Sequence, residues 1–210
     1  MPNGLTITDR QIESLKPDDA FIQLAINESD PISLTFNNMK DKTIGIYIES
    51  TNCIAHSSFN IICNNTENIL IQRQFKVIKD SLINQYTTIK IENNSSLTIS
   101  DTNNNNEGHV LDYIDAKLEK EAKFYSLNQS YLSNNSRFQN RIYINGEESD
   151  ATLHGLAINE AEQCCYYNTH IYHDSVYLLL TISSSSSSSS SFITLFFLCC
   201  MNSFNHSFMT

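Results

Sequence analysis

Three residues near the end of the charged part of the chain carry side chains that could bind iron or sulfur: Cys164, Cys165 and His173. Thiolates and imidazoles are iron ligands, and His170 would add a second imidazole nearby. The two cysteines are adjacent, so on a strand their side chains point to opposite faces. The sequence contains no CxxC pair and no Cys/His spacing typical of a zinc site. We therefore keep these three residues as the metal candidates to test, and predict no catalytic residue, no metal site and no bound cofactor.

A second group that could do chemistry is the acidic cluster Glu147, Glu148 and Asp150, which follows the turn sequence Asn145-Gly146. Paired carboxylates can act as general acid and base. Charges that directly follow a turn are more often solvated surface groups. The sequence also has no Gly-rich phosphate-binding loop. These observations favour solvated surface charges for the acidic cluster and predict that the chain binds no nucleotide.

The charge balance excludes two classes of partner. Thirteen Lys and Arg face twenty-three Asp and Glu, which gives a net charge of −10 and a pI of about 4.9. Nucleic-acid binding and docking on an anionic membrane both need basic surface. The first residues include Asp9, Arg10 and Glu13 and form no apolar signal segment. Together with six cysteines that fit a reducing compartment, this predicts a cytoplasmic protein, with Cys53 and Cys63 as buried, inert thiols.

Between residues 30 and 175 the recurring unit is a short alternating run of β-branched residues, as in Thr43–Ile48 and Ala151–Ile158. Alternation over four to eight residues, bounded by Asn, Ser and Gly, predicts strands. The pattern indicates a mainly-β domain with a core of Ile, Leu, Phe and Tyr. A sandwich, a barrel and a solenoid all remain open. Strand starts lie irregularly, roughly 10–25 residues apart, without a fixed repeat motif, so a strict solenoid signature is absent.

Two segments have helical character. Thr8–Leu15 could form a short helix capped by Thr8 or Asp9, and it would give residues 1–29 an N-terminal segment of their own. Leu111–Lys123 is helical by propensity, with Glu and Lys three or four residues apart. The pattern alone does not decide between helix and strand for this second segment.

The charge pattern ends abruptly at Asp174. Residues 176–210 contain no Asp, Glu, Lys or Arg, and nine serines, Ser183–Ser191, separate two apolar runs. A membrane anchor over Val176–Met201 would have the right length, but the serines and the lack of flanking Lys or Arg argue against it. A serine linker that carries an apolar peptide is a second interpretation. We favour a third, in which residues 176–210 are a disordered tail or an artefact of the gene model, such as a frameshift or a misjudged intron.

Several motifs, taken in order, resemble the core of the SufB/SufD proteins of the SUF iron–sulfur cluster assembly system. They are Glu92–Ile99, Asn135–Phe138, Ile144–Leu156, Glu162-Gln163 and Asn168–His173. The family pattern is roughly E-N-S-x-V-T-I, then SRF, L-x-G-E-x-A-x-x-x-L-x-G-L and E-Q-x-x-D-x-x-T-x-I-x-H. The resemblance covers about residues 30–175 and is closer to SufD than to SufB. Tyr166 stands where the family usually has Asp, and Cys164-Cys165 replace more typical residues.

The resemblance implies a partial right-handed parallel β-helix over residues 30–175, and it would make Leu111–Lys123 a strand region. It also implies a scaffold, not an enzyme, that acts by assembly with SufB-like and SufC-like proteins, in the cytoplasm or in a plastid. The iron–sulfur cluster would be built by the intact complex. Family members have a helical N-terminal domain and continue well beyond Asn168–His173, so the resemblance further implies a truncated chain whose activity is in doubt. A stand-alone β-helix that binds a polysaccharide or protein ligand is the alternative.

Overall fold

The computed structural model describes residues 4–9, 19–50, 53–104, 107–159, 163–173, 179–186 and 203–209. For Asp9 and for all residues from His173 onward, only the backbone is described. No helix in this described part is long and apolar enough to cross a membrane.

The described chain forms one helix, α1, and fourteen strands, β1–β14. Their bounds are β1 Leu5–Asp9, α1 Ala20–Asn27, β2 Ile32–Asn37, β3 Lys40–Ser50, β4 Ile54–Asn64, β5 Glu67–Val77, β6 Leu82–Ile91, β7 Ser96–Asn104, β8 His109–Leu118, β9 Lys123–Tyr131, β10 Asn135–Ile144, β11 Asp150–Ile158, β12 Cys164–His173, β13 Leu179–Ser186 and β14 Ser203–Met209.

From β2 onward, successive strands alternate between two sheets that are mainly parallel, which makes the fold a parallel β-helix. The larger sheet has the order β1-β2-β4-β6-β8-β10-β12-β14 and the smaller one β13-β11-β9-β7-β5-β3. The terminal strands β1 and β14 pair antiparallel with their neighbours, and all other pairs are parallel. The predicted mainly-β class and the β-helix implied by the family resemblance are confirmed.

The register defines a coil length that sequence inspection did not detect. Ile54 pairs with Leu82, Leu82 with His109, His109 with Asn135, and Asn135 with Cys164, so one coil takes 26 to 29 residues. The coil length varies because the connections differ in length while the paired strands stay in register. A solenoid, which the strand pattern leaves open, is thus the fold, although no fixed sequence motif marks its coils.

Left-handed residues at one corner set the direction of each coil. The residues concerned follow the ends of five larger-sheet strands by one to four residues and have φ between 49° and 58°: Asn38, Asn65, Asn94, Glu121 and Glu148. Asn adopts this conformation more readily than other non-glycine residues, so the corner needs no glycine in its first three coils. The amide of Asn65 also donates to the side-chain oxygen of Asn38 at 2.6 Å. The high Asn and low Gly content of the chain is consistent with this corner.

The core lies between the two sheets and is built by alternation. In β5, the outward Gln72, Gln74 and Lys76 are exposed, whereas the inward apolar residues are buried: Ile69, Ile71, Phe75 and Val77. Stacking of coils places each inward residue beside its equivalent one coil away. A column of aliphatic and aromatic side chains therefore fills the interior without any single long hydrophobic segment.

Helix α1 packs on the outer face of the larger sheet. Ile22 and Ala25 are fully buried there against Tyr86 and Tyr113. Asp19 caps the helix, since its Oδ1 accepts a hydrogen bond from the Phe21 N–H at 2.8 Å. The predicted helix over Thr8–Leu15 was wrong at its start, because Thr8 and Asp9 belong to β1. Its remaining residues, 10–15, lie outside the described part of the chain.

The ambiguous segment Leu111–Lys123 is strand, as the family resemblance implies. It supplies most of β8, a corner, and the first residue of β9. Pairing with β6 and β10 on both sides satisfies the β8 backbone and overrides the local helix propensity. In the 176–210 segment, backbone strands β13 and β14 are described. The prediction of a disordered or artefactual tail otherwise falls on residues outside the described part.

Candidate functional site

The interior contains a buried cluster of charges, formed by Arg73, Asp101 and Asp112. The side chains are at most 1% exposed. Arg73 donates from Nε and Nη2 to the two oxygens of Asp101 at 2.7 and 2.6 Å. It also donates from Nη1 and Nη2 to the two oxygens of Asp112 at 3.2 and 2.7 Å. One guanidinium therefore bridges two carboxylates and forms two hydrogen bonds with each of them.

The β-helix register brings these three groups together. Arg73 in β5 and Asp101 in β7 are paired neighbours in the smaller sheet. Asp112 lies in β8 of the larger sheet, directly across the interior. All three occupy inward positions of their strands, so the cluster joins the two sheets through the core.

Polar side chains of the larger sheet extend the cluster. Thr87 accepts a hydrogen bond from Arg73 Nη1 at 2.9 Å and another from the Gln85 amide at 3.1 Å. The hydroxyl of Ser57 in turn donates to the Gln85 side-chain oxygen. These inward groups form a connected network that is buried except at the half-buried Ser57. Connected hydrogen bonding of this kind lowers the cost of burying polar side chains.

Burial and neighbouring charges act in opposite directions on the cluster. Burial alone would lower the pKa of Arg73, but Asp101 and Asp112 raise it well above its ordinary value. Burial raises the pKa of Asp112 to about 7, with Arg73 lowering it and Asp101 raising it further. The guanidinium is thus always charged, whereas Asp112 titrates close to neutral pH.

A second charged cluster lies on the outer face of the larger sheet, beside α1. Arg141 donates from Nε and Nη2 to the two oxygens of Asp115, both at 2.6 Å, and the Tyr86 hydroxyl donates to Asp115 at 2.7 Å. Asp115 is 1% exposed, so this pair is shielded although it lies outside the core. His170 is the register neighbour of Arg141. Burial and the charge of Arg141 lower the pKa of His170.

The candidates Cys164 and Cys165 do not converge with each other or with the additional imidazole of His170. Cys165 faces the interior, where burial raises the pKa of its thiol to about 11. Cys164 and His170 occupy outward positions of β12, six residues apart, which is about 20 Å along a strand. Cys165 and His170 therefore lie on opposite faces of one sheet. Of the candidate His173, the structure describes the backbone, which pairs with Ile144.

The other residues singled out from the sequence have simpler surroundings. Glu147 and Glu148 are exposed at a corner. Cys63 is buried as predicted, and burial raises the pKa of its thiol to about 12. The prediction for Cys53 was wrong: it is exposed, at a corner with a φ of 53°. Across the described residues, no group of three His, Cys, Asp or Glu side chains could hold a metal ion.

Sequence reasoning missed the Arg73 cluster, although part of the pattern was present. In β5 the charged Arg73 occupies the same alternating positions as Ile71 and Phe75, which places a charge in a predicted core. An inward arginine requires buried acidic partners. Inward Asp101 in β7 and Asp112 in β8 supply them, but only the coil length reveals that they meet.

Residues 46–179 match the model of a protein family described as SUF system FeS cluster assembly, SufBD core domain. The match begins within β3 and ends at the first residue of β13, so it covers most of the β-helix and all of the Arg73 cluster. No curated protein and no solved structure matches the chain.

Proposed function

The chain belongs to the SufBD core domain family of the SUF iron–sulfur cluster assembly system, and from this premise we propose that it acts as a SufD-like scaffold. The single observation that carries the proposal is the family match over the coils of the β-helix. In this role the chain acts by assembly with a SufB-like and a SufC-like protein rather than by catalysis. The iron–sulfur cluster is the cargo of the complex.

The structure contributes two supporting features. Parallel coils that share one interior give a rigid rod on which partners can be held at fixed positions. The described candidates Cys164, Cys165 and His170 do not form a ligand set of their own. Both features favour a protein that positions a partner's site over one that builds a cluster alone.

Co-expression with a SufB-like and a SufC-like protein tests the proposal. We expect the chain to co-elute with the SufB-like partner in size-exclusion chromatography. The same experiment with a SufD-like protein in place of the SufB-like one tests the SufD assignment. A SufD-like chain should bind the SufB-like protein in preference to the SufD-like one. Separate elution from both partners, with the β-sheet circular dichroism spectrum retained, would overturn the scaffold role. Localisation to the cytoplasm or a plastid belongs to the same proposal.

We further propose that residues 176–210 derive from a shifted reading frame or an unspliced intron. The loss of every Asp, Glu, Lys and Arg after Asp174 supports this interpretation. Sequencing the transcript across the codons for Ser175 to Thr210 tests it. A frame change or a spliced intron in that region would support the interpretation, and a transcript that encodes the tail as printed would refute it.

One observation favours a binding module as the second candidate function. Three outward columns of the smaller sheet, running from β3 to β11, contain no Asp, Glu, Lys or Arg at any of their fifteen positions. Their side chains include Tyr47, Gln72, Thr98, Tyr125 and His154, with the last two rings 5.1 Å apart. A face without Asp, Glu, Lys or Arg that combines hydroxyls, amides, rings and the leucines Leu70, Leu127 and Leu156 suits a neutral polysaccharide. Binding to a neutral glycan array, lost in Tyr125→Ala, would favour this role over the scaffold.

A further inference from the structure

We propose that the cluster of Arg73, Asp101 and Asp112 is a proton-binding site that couples the stability of the β-helix to pH. One guanidinium bridges two carboxylates, and all three side chains are at most 1% exposed. With both carboxylates ionised, the cluster would hold one unbalanced negative charge in the core. An unbalanced buried charge is strongly destabilising. Uptake of one proton removes it.

Among the described residues, the groups around the cluster provide no other positive charge. Arg73 is the sole basic residue among the fully buried residues that the structure describes. Towards the carboxylates, β6 presents the neutral Thr87 and Gln85, β9 presents Asn128 and β10 presents Phe138. Tyr167 of β12 is the remaining titratable neighbour, and burial raises its pKa well above 10, so it stays neutral. A proton is therefore the available means of balancing the charge.

The proton belongs on Asp112. Asp101 accepts the two shorter hydrogen bonds from Arg73, at 2.7 and 2.6 Å, whereas one of the Asp112 bonds is 3.2 Å long. Burial and the charge of Asp101 raise the pKa of Asp112 to about 7 in the folded state, from 3.8 in an open chain. Between these values the folded protein holds a proton that the unfolded chain has lost. This stabilisation is complete below about pH 4 and is lost as the pH rises through about 7.

The expected effect is a change in the folding equilibrium constant. For one bound proton, the folding equilibrium constant falls by up to roughly tenfold for each unit that the pH rises between about pH 5 and pH 7. Above about pH 7 this contribution levels off. Other groups of the protein also titrate in this range, so the contribution of Asp112 is a difference between variants. Urea unfolding of the full chain across this range, for the wild type and for Asp112→Asn, measures it. In Asp112→Asn, the free energy of unfolding should no longer show the decrease with rising pH that one bound proton causes.

Asp115→Asn is the matched control. Asp115 is as buried as Asp112 and is also held by an arginine, but there one carboxylate faces one guanidinium and the charges balance. Asp115→Asn should therefore destabilise the protein and retain the one-proton slope. Equal slopes in the wild type and in Asp112→Asn would overturn the proposal.

A direct measurement covers the case in which Asp112→Asn does not fold. The infrared carbonyl band of a protonated carboxylic acid should be present in the folded wild type at about pH 6 and should disappear by about pH 8, as Asp112 loses its proton. The same band should persist at about pH 6 in Asp115→Asn. Its absence from the folded wild type at about pH 6 would refute the proposal without any Asp112 variant.

Discussion

Arg73 and Asp112 are thirty-nine residues apart in the sequence, yet Arg73 Nη2 lies 2.7 Å from Asp112 Oδ2 in the centre of the β-helix. The first residue belongs to the smaller sheet and the second to the larger one. The contact therefore joins the two sheets through a side-chain ion pair in a core that is otherwise held mainly by aliphatic packing.

Replacing Arg73 with Met should be strongly destabilising. The change keeps an apolar stem but leaves the two acidic side chains without their cation, which typically costs about 3–5 kcal/mol. We expect a large decrease in the urea midpoint with little change in the m-value.

Lys76→Met is the control for that measurement. Lys76 lies in β5, as Arg73 does, but on the outer face of the strand. Its Nζ is 3.1 Å from Oε1 of Glu49 in the neighbouring strand β3, and both side chains are exposed to solvent. Exposed pairs contribute little, so the urea midpoint should stay close to that of the wild type. A similar midpoint for the two variants would contradict the structural role of the Arg73 cluster.

The sequence predicted the strands better than it predicted their assembly. Alternation correctly predicted a strand over Ala151–Ile158, where Ala151 and Leu153 are buried, because a period of two is a local property. The coil length was missed because the corner uses Asn at residues 38, 65 and 94 but Glu at 121 and 148, and the spacing is not constant. Without the coil length, no local pattern could place Asp112 opposite Arg73. An error of one residue in the assumed pairing of two strands would have moved each side chain of one strand to the opposite face of the sheet.

The turn at Asn145-Gly146 shows the same limit. The dipeptide correctly predicts a tight change of direction, but it is typical of a hairpin between antiparallel strands. In the structure it lies at the corner between β10 and β11, which belong to different sheets. Dipeptide chemistry specifies the local bend, whereas the stacking of coils decides which strands it connects.

The exposed cysteine at a corner should react with alkylating reagents faster than the described cysteines that face the interior. Cys53 is exposed, whereas Cys63 and Cys165 are buried and burial raises the pKa of each thiol. Because the thiolate is the reactive form, both buried thiols should resist alkylation. Brief iodoacetamide treatment of the folded protein at about pH 8, followed by peptide mass spectrometry, should label Cys53 first. Labelling Cys165 as fast as Cys53 in the native state would contradict the inward orientation of Cys165.

Ser126→Ala should leave the protein as stable as the wild type or make it more stable. Ser126 is fully buried between Ile99 and Leu153, and its hydroxyl has no hydrogen-bond partner among the described residues. Removing an unpaired buried hydroxyl relieves a desolvation cost of about 1–3 kcal/mol. Thermal unfolding would measure the change.

Ser149→Ala is the matched control for that experiment. The Ser149 hydroxyl is equally buried in a corner, but it donates to the Glu119 carbonyl at 2.6 Å. Its removal leaves that carbonyl without this donor and should cost about 1 kcal/mol. A melting temperature that falls equally in both variants would show that Ser126 also has a partner.

Gly146→Ala should destabilise the corner between β10 and β11. An added Cβ would lie 2.0 Å from the Lys120 amide nitrogen and 2.2 Å from the Glu119 carbonyl carbon, both backbone atoms of the preceding coil. Relief of such a contact requires the two coils to separate, so we expect a loss of about 1–3 kcal/mol. Gly45→Ala in β3 is the control, because nothing lies within 4 Å of its added Cβ and alanine reduces the freedom of the unfolded chain. Urea unfolding should therefore rank Gly45→Ala at or above the wild type and Gly146→Ala below it. The reverse order would contradict the close stacking of the corners that sets the coil spacing.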